Sequence, residues 1–439
     1  MRTFLLVNIS GDFLSIAQRL KEEGEKILFW RSEKPLKGGS DVGKGIIDED
    51  EFVEDYYEVL KKVPKNDLYI LVDDNCRGDE FDFIKRAGYK VIGASGFGDK
   101  IEYDRTYGTE LMEKIGLPTP KTFSFDSIEE AIRLAYSIGK RNPQQRLVFK
   151  PHGEEFAGSA RTYTAKNMND LIDYLEWTQD DIKRNRYEIE RFELQEFIDG
   201  YEVDFSAYFN GVDFMPGSVA IDIEEKKAGD GNKGQSTGCM GNVILFVEKS
   251  RYFDKYIRRL RKLLQSVGYV GQISINNIFA KKDGMPYGLE FTPRFGWDAQ
   301  LTECSIFKEA GLKLADFYTS IADKKDFPFP HDLVGCGVRV YCETPGVPKD
   351  EIIGRRFGFD KEIEKNLWFY SVSKEKDNYI VEGNEVLVAN AVDKKLQKAI
   401  DKVYNDILPK VYISDIYYRM EIGKRAKEAL KFLLDNKWI

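Results

Sequence analysis

The first hundred residues alternate two patterns that one class of domain reconciles. An apolar run, Phe4 to Val7, is followed by Phe13, Ile16, Ala17 and Leu20 at helical spacing, the signature of a strand feeding an amphipathic helix. Leu68 to Val72 followed by Phe81 to Ala87 repeats it, and Lys90 to Ile92 adds a further short strand. Strands alternating with helices predict a doubly wound α/β domain over residues 1–103, with ligands beyond the carboxyl ends of the strands. That edge carries the loops Asn8 to Asp12 and Asp73 to Gly78. No GxGxxG follows the first strand, so the dinucleotide fingerprint is absent. Asp73 and Asp74 read equally as ligands for hydroxyls or a cation and as a solvated acidic turn.

At 439 residues the chain exceeds one ordinary core, which predicts two to four domains or subdomains. A hydrophobic share of 42%, with 29 Phe and 24 Tyr, gives ample material for packed cores. The formal charge of -8 comes with Lys and Arg scattered among Asp and Glu. That distribution argues against a stable complex with nucleic acid or anionic lipid and favours a small anionic substrate. The apolar N-terminal run is broken at Gly11 and Asp12 and no later stretch approaches a membrane span, so no membrane association is expected. Five scattered cysteines and two histidines, each beside a proline, suggest neither a disulfide framework nor a zinc cluster. A reducing cytoplasm is the expected compartment.

Further along, Tyr107 to Ile115 has helical periodicity and stops at Gly116 with Pro118 and Pro120 beyond. Leu147 to Lys150 is a short strand running into a Gly-containing loop, residues 152–161, that includes Gly158 and Ser159. A strand-end lysine with backbone amides beyond it can meet a polyphosphate, although most such loops bind nothing. Phe192 to Phe197 and Val203 to Tyr208 alternate as strands. The run from Lys226 to Gly241 holds five glycines after Lys227, which predicts a long loop with unusual backbone angles close to a ligand or to itself. Val270 to Ala280 and Tyr287 to Phe291 form another strand pair, ending in Glu290 with Arg294 four residues on. That spacing can hold a magnesium ion and steady a carboxylate or phosphate, or form a surface salt bridge. Residues 335–395 read mostly as β, and Lys398 to Ile407 and Tyr418 to Leu434 as helices.

Three of these segments, taken together, resemble one family. AGDGNKGQSTGCMG is similar to the AGDGDTGPNTGGMG segment of phosphoribosylamine-glycine ligases, LEFTPRFG to their VEFNVRFG, and YYRMEIGKRAKEAL to their YYRRDIGHRAL, in the same order and separation. The resemblance implies an ATP-grasp fold, α/β and α+β in class. It comprises the N-terminal domain, a core over 104–332 whose subdomain of about 120–195 covers ATP, and a small C-terminal α/β domain over 333–439.

It also implies a carboxylate-amine ligase that activates its acid as an acyl phosphate with ATP and Mg²⁺ (or Mn²⁺). Glycine plus 5-phosphoribosylamine is the first substrate pair. The alternatives are the same chemistry on another amino acid and amine, or a noncatalytic ATP-binding relative. As partners it implies a small carboxylate and an amine, with a monomer or homodimer as the assembly.

Carried over by position, Lys150 and the loop with Gly158 and Ser159 meet the nucleotide phosphates, and Arg105 stands where the family has a lysine. Gln195, Glu196, Phe197 and Ile198 hold adenine and ribose, with Glu202 a second ribose candidate. Glu290 and Thr292 are the metal ligands, Thr292 replacing an asparagine, and Arg294 and Lys226 are the catalytic cations. Asp230, Gly231, Thr237, Gly238 and Met240 line the acceptor and glycine side. Gly11 and Asp12 stand in Ile9-Ser10-Gly11-Asp12-Phe13-Leu14-Ser15 where the family has GGREHAL.

Overall fold

A computed structural model describes residues 2–32, 41–151, 162–184, 189, 191–343 and 351–439. Its N-terminal sheet has five parallel strands in the spatial order Phe52–Val53, Lys26–Arg31, Thr3–Asn8, Leu68–Val72, Lys90–Ile92. Strands buried on both faces read as continuous apolar runs, as these do. Phe4, Leu6 and Leu71 pack into the main core, while Leu5, Val7, Ile70 and Val72 face Tyr56, Phe81 and Ile84 of the helices Tyr56–Lys62 and Gly78–Arg86. The chain order reverses between Thr3–Asn8 and Leu68–Val72, which puts the loops after these two strands at the crevice of the sheet.

The centre of the molecule is one long, mostly antiparallel sheet. Its order is Pro286–Phe291, Gly271–Ala280, Gly200–Phe209, Ala220–Glu224, Gly241–Phe246, Val334–Cys342, Glu385–Asp393, Leu367–Phe369, with Ile416–Tyr417 added beside Val334–Cys342. The sheet therefore runs without a break across residue 333, and the C-terminal segment extends it. Thr122–Phe125, Phe192–Glu196, Leu147–Pro151 and Tyr163–Thr164 form a separate four-stranded sheet. Its own core of Leu147, Phe149, Leu194, Ala135 and Leu171 is closed by the helices Ile128–Arg141 and Met168–Lys183.

Two sequence expectations change. The glycine-rich run folds as a hairpin, Lys227–Gly229 against Lys233–Ser236, because Gly231, Asn232 and Gly234 adopt the positive φ of a tight turn (69°, 59° and 82°). The last helix spans Lys424–Asp435 and not Tyr418 onward. Gly423, at φ 84°, breaks the chain's direction just before it.

Candidate active site

Side chains on one face of a strand recur every second residue, and the central sheet uses that period to build a polar floor. Asp204 and Ser206, Asp222 and Glu224, and Gln272, Ser274 and Asn276 lie on three neighbouring strands and line one cleft. Glu290 pairs in register with Asn276, and Asn276 with Asp204. The cleft is closed from above by Glu102 and Arg105, at the junction of the helices Gly96–Tyr103 and Arg105–Lys114, and by Arg294 and Trp297 after the Glu290 strand.

The cations converge on Glu290. Arg105 Nη1 lies 3.1 Å from Glu290 Oε2, and Lys150 and Lys226 act on the same carboxylate. Burial alone would push Glu290 up, but Arg105, Lys226 and Lys150 outweigh it and hold the carboxyl down to about 2. Lys226 Nζ is bound by Glu202 at 2.9 Å and Glu224 at 3.5 Å. Burial favours its neutral form, yet Glu202, Glu224 and Glu290 keep it charged. Lys150, buried on Leu147–Pro151 opposite Glu193, is pulled down to about 8 by desolvation, Glu290 opposing.

Arg294 forms the second centre. It sits 3.1 Å from Asp74 and 3.2 Å from Glu102, and its guanidinium stacks 4.6 Å from the Trp297 ring. Burial pushes Glu102 up to about 7 against the pull of Arg294. Gly238 lets that ring approach, since a Cβ there would stand 2.2 Å from it.

At the crevice of the parallel sheet the Asp73 carboxylate accepts from the backbone N–H groups of Ile9 (2.7 Å), Ser10 (3.1 Å), Gly11 (3.2 Å) and Asp12 (3.3 Å), and from Ser10 Oγ (2.9 Å). Successive amides of this kind form an anion seat, here filled from within. Gly11, at φ 108°, gives the turn its shape. Burial, then Asp12 and Asp74, raise Asp73 to about 7.

Of the sequence candidates, Arg105, Lys226, Gly238, Glu290, Thr292 and Arg294 line the cleft itself. Glu202 joins it through Lys226 and Asn276, Lys150 acts on it electrostatically through Glu290, and Asp12 acts on Arg294 electrostatically. Thr237 donates to the Lys226 carbonyl and so fixes that residue's backbone. Gln195, Glu196, Phe197 and Ile198 lie on and just after an inner strand of the small sheet, Phe192–Glu196. Gln195 donates to Thr122 Oγ1 (3.2 Å), and Arg146 covers the Phe197 ring.

Some candidates lie elsewhere. The Glu196 side chain borders a different surface cleft, with Lys121 and Arg141, because alternation turns it to the side opposite Gln195 and Glu193. Asp230 and Gly231 bond Met420 N and Glu421 at the hairpin tip, and Met240 is buried in the core. Gly158 and Ser159 fall outside the described residues. Among the described residues no three His, Cys, Asp or Glu side chains gather as a metal cage. Glu290 with Thr292 suits a magnesium ion that takes its remaining oxygens from phosphates.

Asp204, Asp222, Asn276 and Gln272 also line the cleft, and the sequence carries a signal for them. They are polar residues at period two inside otherwise apolar strands.

Residues 103–299 match the family described as phosphoribosylglycinamide synthetase, ATP-grasp (A) domain. The chain is 23% identical over 360 residues to a phosphoribosylamine–glycine ligase of Clostridium acetobutylicum, covering 77% of this chain and 80% of the relative. It is 26% identical over 358 residues to that of Lactococcus lactis, with 78% and 80% covered. The chain is thus similar, at low identity and over most of its length, to phosphoribosylamine–glycine ligases. In fold it is similar to the phosphoribosylamine–glycine ligase of Thermotoga maritima (TM-score 0.68, 18% identity, 96% and 100% of the two chains). It also resembles the biotin carboxylase domain of a 2-oxoglutarate carboxylase from Hydrogenobacter thermophilus in complex with MgADP, ADP and bicarbonate (0.62, 14%, 99% and 97%). The architecture is thus an ATP-grasp fold of mixed α/β class.

Proposed function

We propose that this chain is an ATP-dependent carboxylate–amine ligase, with glycine and 5-phosphoribosylamine, the pair named for its relatives, as substrates. The observation that carries the reading is the ring of Arg105, Lys226 and Lys150 about one ionised, half-buried carboxylate, Glu290, with Arg294 in the same cleft. Phosphoryl transfer from ATP asks the protein mainly for positioning and for neutralising charge as it develops. Here a carboxylate oxygen of the acid attacks the γ-phosphorus, and the bond to ADP breaks. The amine nitrogen then attacks the acyl carbon, inorganic phosphate leaves with the bonding pair, and the nitrogen loses its proton.

Lys150, Arg105 and Lys226 hold the phosphates, and Arg294 steadies the acid or its phosphate. The backbone of Gln195 to Ile198 holds adenine, the Glu196 side chain pointing away, with Glu202 toward the ribose. Glu290 and Thr292 would hold Mg²⁺, or Mn²⁺ with the same oxygen preference, which neutralises the phosphate oxygens when bound. The residues flanking the Lys227–Ser236 hairpin support the acceptor side through Lys226, Thr237 and Gly238. The reading places the activity in the cytoplasm, in a monomer or homodimer. No helix among the described residues is long and apolar enough to cross a membrane.

A second reading, the same chemistry on a different amine, is favoured by one observation. The amides of residues 9–12 are already engaged by Asp73 and do not offer themselves to the phosphate of an acceptor.

The test is ADP release with MgATP, glycine and fresh phosphoribosylamine, each omitted in turn. The first reading expects release that needs both cosubstrates. Release with glycine and another amine only, phosphoribosylamine being inert, would transfer support to the second. Glu290→Gln and Arg294→Met are expected to cut turnover by about 100-fold or more, and retained turnover in both would sink the site assignment.

A further inference from the structure

Nothing in the ligase reading uses the middle of the cleft floor. Asp204 and Asp222 face each other in register on adjacent antiparallel strands, and both line the cleft. Asp204 accepts from Ser274 Oγ. Asp222 is 5% exposed, and its Oδ1 has no hydrogen-bond partner among the described residues. On the next strand, in register with Asp204, Asn276 is 3% exposed, and its Oδ1 likewise lacks a partner while its Nδ2 donates to Glu202.

Buried carboxylates are ordinarily paired with a cation. The three cations of the lining are committed elsewhere: Arg105 to Glu290, Lys226 to Glu202 and Glu224, Arg294 to Asp74 and Glu102. No ion pair joins Asp204 or Asp222 to a cation among the described residues, and no metal cage is formed there. What remains on the floor is a set of acceptors with one donor among the described residues, the Ser274 hydroxyl on Asp204, and none on Asp222 Oδ1 or Asn276 Oδ1. Its complement is a compact cation that only donates, and a primary ammonium, with three N–H groups and no lone pair, is that group.

We propose that Asp204, Asp222 and the Asn276 amide oxygen form a seat for a protonated primary amine of a substrate. The proposal rests on the ligase reading for its setting and names the chemical class of what enters the cleft beside ATP. The ammonium has two possible sources, the acid's own amino group and the amine acceptor arriving protonated.

Equilibrium calorimetry on the full chain distinguishes them, with glycine and lysine as amino acids, methylammonium as an amine alone, and glycolate as the acid whose amine is replaced by a hydroxyl. The titrations are run with and without MgADP, on the native chain and on Asp222→Asn and Asp204→Asn/Asp222→Asn. At least one amine-bearing probe is expected to saturate, with glycolate about tenfold weaker or worse. The double variant should lose about tenfold or more of that affinity and keep its affinity for MgADP, which also certifies its fold. Saturation by an amino acid and not by methylammonium assigns the seat to the acid, and saturation by methylammonium assigns it to the acceptor.

The proposal is overturned if no amine probe saturates the native chain, or if both variants bind the probe as the native chain does. Should MgADP fail to bind the native chain, the ligase reading falls, while the amine titrations without nucleotide still decide the seat.

Discussion

At the level of single residues the cleft is a place where burial and charge work against each other, and which one wins differs by position. Glu290 stays ionised because three cations surround it. Glu303, 1% exposed, accepts among the described residues from the Tyr208 hydroxyl and Gln272 Nε2 (3.1 Å) and meets no cation, and burial pushes it up to about 8. A carboxyl raised in the folded state contributes stability that is present below its unfolded pKa, near 4.5, and is lost as the pH climbs to about 8. Glu303→Gln keeps the shape and removes the titration. Urea unfolding of the variant should therefore lose less stability between acid and pH 8, leaving it more stable than the native chain at pH 8 by on the order of 1–3 kcal/mol. A native-like pH slope in the variant would assign the loss to another group, such as Asp204, also pushed up by burial, to about 7.

The same scale shows why the sequence reveals some site residues and hides others. Glu290 and Arg294 stand in a short motif after a strand, where chemistry is expected. Asp204 and Asp222 stand inside strands, where an apolar alternation is the usual concern. Only their facing registers show that their side chains share a floor.

Among the elements, the short apolar runs announced themselves and the context-dependent pieces did not. Thr3–Asn8, Leu68–Val72 and Lys90–Ile92 were legible because strands buried on both faces must be apolar throughout. Lys26–Arg31 is less so, since the charged Lys26 and Arg31 at its ends leave a short run of four apolar residues. The glycine-rich run reads as a loop in sequence because glycine marks unusual backbone angles but not whether the flanking residues pair.

The four-stranded sheet of residues 122–196 has a core of its own, separate from the main one. Phe149 is fully buried in it, with ring centroids 5.0 Å from Phe192 and 5.4 Å from Tyr174. Phe149→Ala should cost about 3–5 kcal/mol, and the loss should stay local. Native-state hydrogen exchange is expected to quicken in the strands of this sheet and the helices Ile128–Arg141 and Met168–Lys183, with the Gly200–Phe209 and Gly271–Ala280 strands keeping their protection. Uniform loss of protection would mean that the two cores unfold as one unit.

Across the whole molecule the central sheet joins the site to the C-terminal segment, a continuity that spacing along the chain cannot reveal because it is set by long-range strand pairing. The link is polar as well as apolar. Arg339, 1% exposed on Val334–Cys342, donates through Nε to both oxygens of Asp298 at 3.0 and 3.1 Å, and through Nη1 to Glu385 at 2.7 Å; the Tyr370 hydroxyl adds a 2.7 Å bond to Asp298.

Asp298 immediately follows Trp297, the ring under Arg294, so this buried pair fixes the first turn of the helix Trp297–Glu309 beside the cleft. Removing one partner strands the other charge away from water, and Arg339→Met should cost about 3–5 kcal/mol. Asp298→Asn keeps a hydrogen-bonding shape but leaves Arg339 with Glu385 as its carboxylate partner, and should cost less. If the pair acts as a unit, the double variant will be less destabilised than the sum of the two, by about 1 kcal/mol or more in a denaturation cycle. Turnover supplies the second readout. A helix start held only by packing should let Arg294 drift, raising KM for the acid in Asp298→Asn while ATP affinity holds. Strict additivity together with an unchanged KM would show that the C-terminal segment supports the fold without reaching the site.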